Sequence, residues 1–325
     1  MTAFHRVLSV AVGITCFLAA TTVAAQGQKL PTVGYPSFIA LKDDRYYEAF
    51  LAGLRDRGYV PQRNILVKHV HHAPEQTESV IRGMVREKVD IIFAGVPIRA
   101  VAAKAITREI PIICASCGDP LAFGLVQSLA RPGGNVTGIA SLSVELIGKR
   151  LELLREAMPA VSRVAVITFP NNPGTALTLQ ALDAVKRRGG LSFTVVHVRV
   201  IGDFDKAFRE AANAKAEAVF LQDDPLITPA QAQIAQLGMK YRVPIFVSEG
   251  EWVKAGMLIA YGPDRLDLFR RAATFVDRIL KGQKPGDLPF EQPTKLDLVI
   301  NLKNAKELGL TIPTSLTIRA DRVIQ

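Results

Sequence analysis

Asp90-Ile91-Ile92-Phe93-Ala94-Gly95-Val96-Pro97 is an apolar run closed by glycine and proline, and Ile110-Pro111-Ile112-Ile113-Cys114-Ala115 follows as a second such run. The same punctuation returns in the other half of the chain. Ala218-Val219-Phe220-Leu221 leads into Gln222-Asp223-Asp224-Pro225, and Val243-Pro244-Ile245-Phe246-Val247 comes after it. Short, continuously apolar runs read as parallel strands covered on both faces. Proline suits the first turn of a helix (Pro97, Pro225) and the opening of a strand (Pro111, Pro244), because neither position requires an N–H donor.

Working outward, apolar runs at residues 32–34 and 65–70 add strands to the first half. Between them Tyr47, Phe50, Leu51 and Leu54 repeat at helical spacing. In the second half Ile147, Leu151, Leu154 and Met158 mark a helix, and strands are expected at 163–169, 193–200, 218–221, 243–247 and 257–260. A helix carrying Leu268, Ala272, Phe275, Val276 and Ile279 follows. Strands alternating with helices through short connections predict an α/β protein with two doubly wound parallel-sheet domains. The expected domains are residues 29–137 plus 264–290 and residues 138–263 plus 291–325. Candidate crossings lie near 137–141, 261–264 and 290–294, and the absence of a low-complexity linker points to a hinge of short strands.

The 325-residue chain is about half apolar and carries a net charge of +10. Its basic residues are mixed with acids on expected helices, with no arginine-rich arm or basic-aromatic stripe, so no nucleic-acid partner is expected. Residues 1–25 form a separate segment: His5 and Arg6, an apolar run over 7–20, then small residues up to Ala25. This pattern reads as a secretory signal peptide cleaved after Ala25, which predicts a periplasmic protein. The apolar run is short for a membrane span, and Cys16 lacks a lipidation context.

Cys114 and Cys117 close an apolar strand. Residues three apart in an extended strand are about 10 Å distant, beyond disulfide reach. The pair is therefore expected as two buried, small apolar residues rather than a redox motif. His69, His71 and His72 cluster in sequence, but no acids or thiols nearby complete a ligand set, so no metal is expected. Asn135-Val136-Thr137 matches a glycosylation acceptor, a pattern common by chance. Phosphate-binding and dinucleotide glycine loops, a nucleophile elbow and a recognisable triad spacing are all missing from the sequence, and neither an enzyme nor a cofactor is expected.

In open α/β sheets, ligands lie beyond the carboxyl ends of the strands. That rule nominates Ser37, Gly95, Val96, Pro97 and Asp119 from the first half. From the second it nominates Asn171, Asn172, Asp223, Ser248 and Glu249, and from a crossing segment Tyr261. Helix N-termini suit a carboxylate, while Asp223 and Glu249 can accept from an ammonium. Together they suit a zwitterion such as an amino acid. Asp119 before Pro120 reads equally as a helix cap, and Asn171 and Asn172 equally as turn formers. Asp224 is the better placed of the acidic pair to cap the next helix, which leaves Asp223 for ligand.

Several segments are similar to a known family. They are Cys117-Gly118-Asp119-Pro120, the run from Ser128 through Arg131-Pro132-Gly133-Gly134-Asn135-Val136-Thr137-Gly138, and Gly148-Lys149-Arg150-Leu151-Glu152-Leu153-Leu154. Two tail segments join them, Glu291-Gln292-Pro293-Thr294-Lys295 and Leu298-Val299-Ile300-Asn301-Leu302-Lys303. Over essentially its whole length the chain resembles the ABC transporter substrate-binding proteins with the type I periplasmic binding protein fold. The resemblance implies two α/β domains joined by three crossovers, a central cleft, and delivery of a small molecule to an ABC permease with a cytoplasmic ATPase. It implies that Gly95, Asp119, Asn135, Asp223 and Glu249 lie near ligand. This sequence departs from the family at Val96, where threonine is frequent, and at Cys114 and Cys117. A secreted sensor presenting a small molecule to a membrane signalling protein is the alternative expectation.

Overall fold

The computed structural model describes residues 29–325, so the expected signal peptide lies outside the described residues. The first sheet has five parallel strands: β1 (Thr32–Ser37), β2 (Leu66–His71), β3 (Ile91–Phe93), β4 (Ile112–Cys114) and β5 (Val136–Gly138), in the order β2-β1-β3-β4-β5. Helices α1 (Arg45–Arg55), α2 (Thr77–Arg86) and α3 (Pro97–Ile106) connect its first four strands.

The chain then enters a second sheet through α4 (Ile147–Ala157). Five strands and four helices follow in alternation: β6 (Arg163–Thr168), α5 (Thr175–Arg187), β7 (Ser192–His197), α6 (Phe204–Asn213), β8 (Ala218–Leu221), α7 (Ile227–Lys240), β9 (Ile245–Val247), α8 (Gly250–Lys254) and β10 (Ile259–Gly262). The long α9 (Arg265–Leu280) returns to the first sheet, where its Leu268, Phe269 and Phe275 share a core with Phe50 and Leu54 of α1. The tail re-enters the second sheet as β11 (Asp297–Asn301), α10 (Leu302–Glu307), α11 (Thr314–Arg319) and β12 (Arg322–Ile324), giving the order β12-β11-β10-β9-β8-β6-β7. The β10–β11 pair alone is antiparallel. The chain therefore passes between the sheets three times, and two passages touch: Ile139 bridges Glu291, with the Glu291 N–H on the Gly138 carbonyl.

Sequence and structure part at the sheet margins. The run at 193–200 forms β7 over Ser192–His197 only, and Val196 is its one fully buried residue, because β7 is an edge strand covered on one face. Strands β5, β11 and β12 were not expected; two of them have three residues, too few for a period to show. The cysteine expectation is corrected. The strand stops at Cys114 and the chain bends through Ala115 and Ser116, which brings the two Cα atoms to 5.3 Å and pairs Cys114 with Cys117 in a disulfide. Both cysteines are fully buried. The 10 Å separation applied to an extended chain that does not continue.

α1 and α9 approach closely at Gly53, where an added Cβ would run into the Arg270 carbonyl oxygen. Both are long, well-packed helices, so neither yields easily. Gly53→Ala should cost roughly 1–3 kcal/mol by overpacking, read as a lower urea midpoint. An unchanged midpoint would mean the helices slide apart freely.

Candidate functional site

The strand-end loops of both sheets surround one void of about 600 Å³, counting the open space at its mouth. Val96 and Pro97 after β3 and Ser116 after β4 line it from the first sheet. Asn172 after β6 and Asp223 and Asp224 after β8 line it from the second. A smaller chamber of about 350 Å³ adjoins it, walled by Ser37, Phe38, Tyr46, Arg99 and Phe269. Val96, Pro225 and Arg265 line both chambers and form the constriction between them.

Arg265, the first residue of α9, is the electrostatic centre. Its guanidinium meets Asp223 Oδ1 at 2.5 Å and Glu249 Oε2 at 3.1 Å. It also lies over the rings of Tyr46 and Trp252, at 5.8 and 5.1 Å from their centroids. Burial alone would lower its pKa, but Asp223 and Glu249 outweigh burial and hold it above the ordinary arginine value. Burial likewise pushes Asp223 up, yet Arg265 and Arg150 keep it below the usual aspartate value. Glu249 stays raised because burial exceeds its help from Arg265 and Tyr46. The Tyr46 hydroxyl donates to Glu249 Oε1 at 2.5 Å. With Arg45, which bonds Glu251 and Gln231 at 3.1 and 3.2 Å, it ties α1 to the second sheet's helices.

Asn172 and Asp224 brace the far wall of the larger chamber. The Asn172 amide donates to the Asp223 carbonyl and to Asp224 Oδ2, both at 2.9 Å, while Asp224 Oδ1 accepts from the Leu226 N–H. These bonds do not offset the loss of water: burial raises the Asp224 carboxyl to about 6. Arg150 sits opposite, donating to the carbonyls of Tyr261 and Ser143 at 2.7 and 2.9 Å, with its pKa lowered to about 10 by burial. The larger chamber thus holds buried charges of both signs between apolar walls.

The nominated residues separate by location. Val96, Pro97, Asn172 and Asp223 line the larger chamber, and Ser37 the smaller. The Ser37 hydroxyl is already engaged, donating to Asp44 at 2.6 Å. Gly95, with φ +73°, lets the chain turn under Val96; a Cβ there would press on the Arg99 Nη2 and Phe269 ring at 3.1 Å. Glu249, Ser248 and Tyr261 line neither chamber. Glu249 acts through Arg265, Ser248 is buried at the end of β9, and Tyr261 contributes its carbonyl to Arg150. Asn171 is exposed. Asp119 caps its own turn, accepting from the Leu121 and Ala122 N–H groups at 3.0 Å, and also lines neither chamber.

Asn135 opens β5 at the end of the sheet away from the void, with its amide on the carbonyls of Thr107 and Ile110. Its burial also removes it as a glycan acceptor. Among the histidines, His69 Nε2 contacts Asp44 at 3.1 Å and His72 Nδ1 contacts the Ala73 carbonyl. Sequence reasoning missed Arg99, Arg150, Arg265 and Tyr46. Arg265 directly follows the expected crossing at 261–264, and Arg99 stands in the first turn of a helix, where a cation opposes the dipole; both signals were present.

Comparison with known proteins follows the same lines. A family described as ABC transporter substrate binding protein matches residues 41–324. The chain is 26% identical over 270 residues to a tyrosine-binding protein of Clostridioides difficile (strain R20291), covering 82% of this chain and 77% of that one. A conserved domain protein of Vibrio cholerae O1 biovar eltor has a TM-score of 0.84 at 26% identity, covering 91% of this chain and all of the other. A Streptococcus pneumonia domain solved with L-Trp has a TM-score of 0.79 at 24% identity, covering 90% and 100%. The last of these bears on the fold alone.

Proposed function

Because this chain belongs to the ABC transporter substrate binding protein family, we propose that it is the extracytoplasmic receptor of an ABC importer and closes around a small, amino-acid-like solute. In this reading residues 1–25 direct export to the periplasm. The lobes comprise 29–137 plus 264–290 and 138–263 plus 291–325. The loaded protein hands its ligand to a membrane permease driven by a cytoplasmic ATPase. Among the described residues no helix is long and apolar enough to cross a membrane.

The observation that carries the reading is the shared void. Val96, Pro97 and Ser116 from one sheet face Asn172, Asp223 and Asp224 from the other, with Arg150 and Arg265 between. A buried acid pair suits an ammonium group, and buried arginines suit a carboxylate. The curated tyrosine-binding relative supports the same ligand class. Lobes joined by three short chain passages and tied by Arg45 and Tyr46 suit hinge closure over a solute.

A ligand that binds only the folded form stabilises it by RT ln(1 + [L]/Kd), about 2.7 kcal/mol at a hundredfold excess over Kd. Thermal unfolding against L-amino acids, purines, sugars and carboxylates should therefore show a dose-dependent rise with amino acids and none with sugars. No shift with any compound, together with no bound mass in native mass spectrometry of protein taken from its own periplasm, would overturn the proposal.

A further inference from the structure

We propose that the smaller chamber is a carboxylate subsite, in which Arg99 and the start of α3 hold the anionic end of a ligand whose amino end lies in the larger chamber beside Asp223 and Asp224. The inference rests on the solute-receptor reading above and specifies which residues read which end of the solute.

Arg99 is 5% exposed and lines the smaller chamber. One nitrogen, Nη1, donates to the Pro36 carbonyl at 2.7 Å, and the guanidinium lies 5.1 Å from the Phe38 ring centroid. Its Nε makes no hydrogen bond, and among the described residues no carboxylate lies within ion-pairing distance of it. Each of the other arginines facing the chambers is satisfied differently: Arg265 by two carboxylates, Arg150 by two carbonyls. Asp44 also lines the smaller chamber, but it is spoken for. Its Oδ2 takes the Ser37 hydroxyl and His69 Nε2, and its Oδ1 takes the Tyr47 N–H.

The helix carrying Arg99 reinforces the case. α3 has ten residues, no acid in its first turn, and no side chain capping its N-terminus, because its cap position is Val96. Pro97 carries no N–H, so the first-turn donors are those of Ile98 and Arg99, which have no side-chain acceptor and follow Val96, a residue lining both chambers. A cation in the first turn adds to the positive end of the helix dipole and is unfavourable unless an anion is present. A carboxylate entering past Val96 meets a planar guanidinium fork and free N–H groups together, with Phe38 and Phe269 excluding water.

The experiment titrates the protein with L-tyrosine, its neutral amide L-tyrosinamide, and 3-(4-hydroxyphenyl)propionate, which keeps the acid and lacks the amine, by calorimetry at pH 7. Wild type should bind tyrosine roughly 10- to 100-fold more tightly than the amide, the range expected for a charge-assisted hydrogen bond. In Arg99→Gln the acid and the amide should bind alike. Arg99→Lys keeps the charge but loses the fork, so its acid-over-amide ratio should fall below that of wild type without vanishing; that drop serves as the test if Arg99→Gln fails to fold. A purely structural Arg99 would change stability in both variants without changing the acid-over-amide ratio. Equal binding of acid and amide by wild type, or a preference that survives Arg99→Gln, overturns the subsite while leaving the receptor reading standing. No binding of tyrosine or the propionate at millimolar concentration overturns the subsite; only silence of the wider panel described above also removes the receptor reading.

Discussion

Replacing Arg265 with methionine should destabilise the protein by about 3–5 kcal/mol at pH 7, the cost of leaving buried charges without their partner. Arg265 is the shared cation of Asp223 and Glu249, whose side chains are 18% and 3% exposed, so solvent cannot replace it. The packing loss is small, because methionine keeps most of the aliphatic stem against Tyr46 and Trp252. Acidification should reduce the deficit. Without the guanidinium, burial sets both carboxyls, their native pKa values rise, and protonation at lower pH removes the unpaired charge. The triple change Arg265→Met, Asp223→Asn, Glu249→Gln should recover much of the loss, since the whole set is then neutral. Urea unfolding between pH 5 and 7.5 reads all three effects. A loss below about 1 kcal/mol, the range of an exposed pair, would mean the network is open to water.

The second large effect belongs to Asp224. It is buried, and its native carboxyl titrates at about 6 against an ordinary 3.8. The native state therefore holds a proton that the unfolded chain has released between those values. Stability falls as pH rises through this window, with a slope near −1.4 kcal/mol per pH unit and a total of about 3 kcal/mol. Carboxylates with lowered native values, such as Asp44 and Asp223, act in the opposite sense below about pH 4, while His72, whose pKa burial lowers, opposes the decline equally in wild type and variant. Asp224→Asn should shrink the decline between about pH 4.5 and 6.5, leaving the contribution of the same sign from Glu249, whose buried carboxyl is also raised. Its gain at pH 7 falls short of the full amount, because an amide cannot accept from Asn172 at the position of Oδ2. If the pH profiles of wild type and variant run parallel, Asp224 is not the titrating group. The strain has a functional counterpart: an ammonium group in the larger chamber favours ionised Asp224, so affinity for an amino-bearing solute should rise with pH across the same interval.

The apolar runs ending in Gly95-Val96-Pro97 and Asp223-Asp224-Pro225 carried enough information to specify parallel strands, their polarity, and therefore which loops line the shared void. Burial on both faces leaves such runs apolar throughout, and proline marks their ends because the missing donor restricts where it fits. That reasoning reached Val96, Pro97, Asn172 and Asp223 without tertiary information. It failed where a residue's role depends on what lies across the fold. Asn135, nominated through the family resemblance, spends its amide on the Thr107 and Ile110 carbonyls of the preceding connection, and Asp119 takes the capping role that its sequence equally allowed. Cys114 and Cys117 became a pair through a bend that no propensity in Ala115-Ser116 announces.

What the sequence determined by itself is the alternation of strand and helix, since that follows from local periodicity and from where proline and glycine are tolerated. What the tertiary structure decided is the charge arrangement of the cleft. Arg99, Arg150 and Arg265 are far apart in the chain and identical in type, yet one is bound by two carboxylates, one by two carbonyls, and one forms no ion pair and shares its chamber with an Asp44 already bonded to Ser37, His69 and Tyr47. Coulomb and desolvation energies depend on distances across space, and those distances exist only once both sheets and the returning helix α9 have come together.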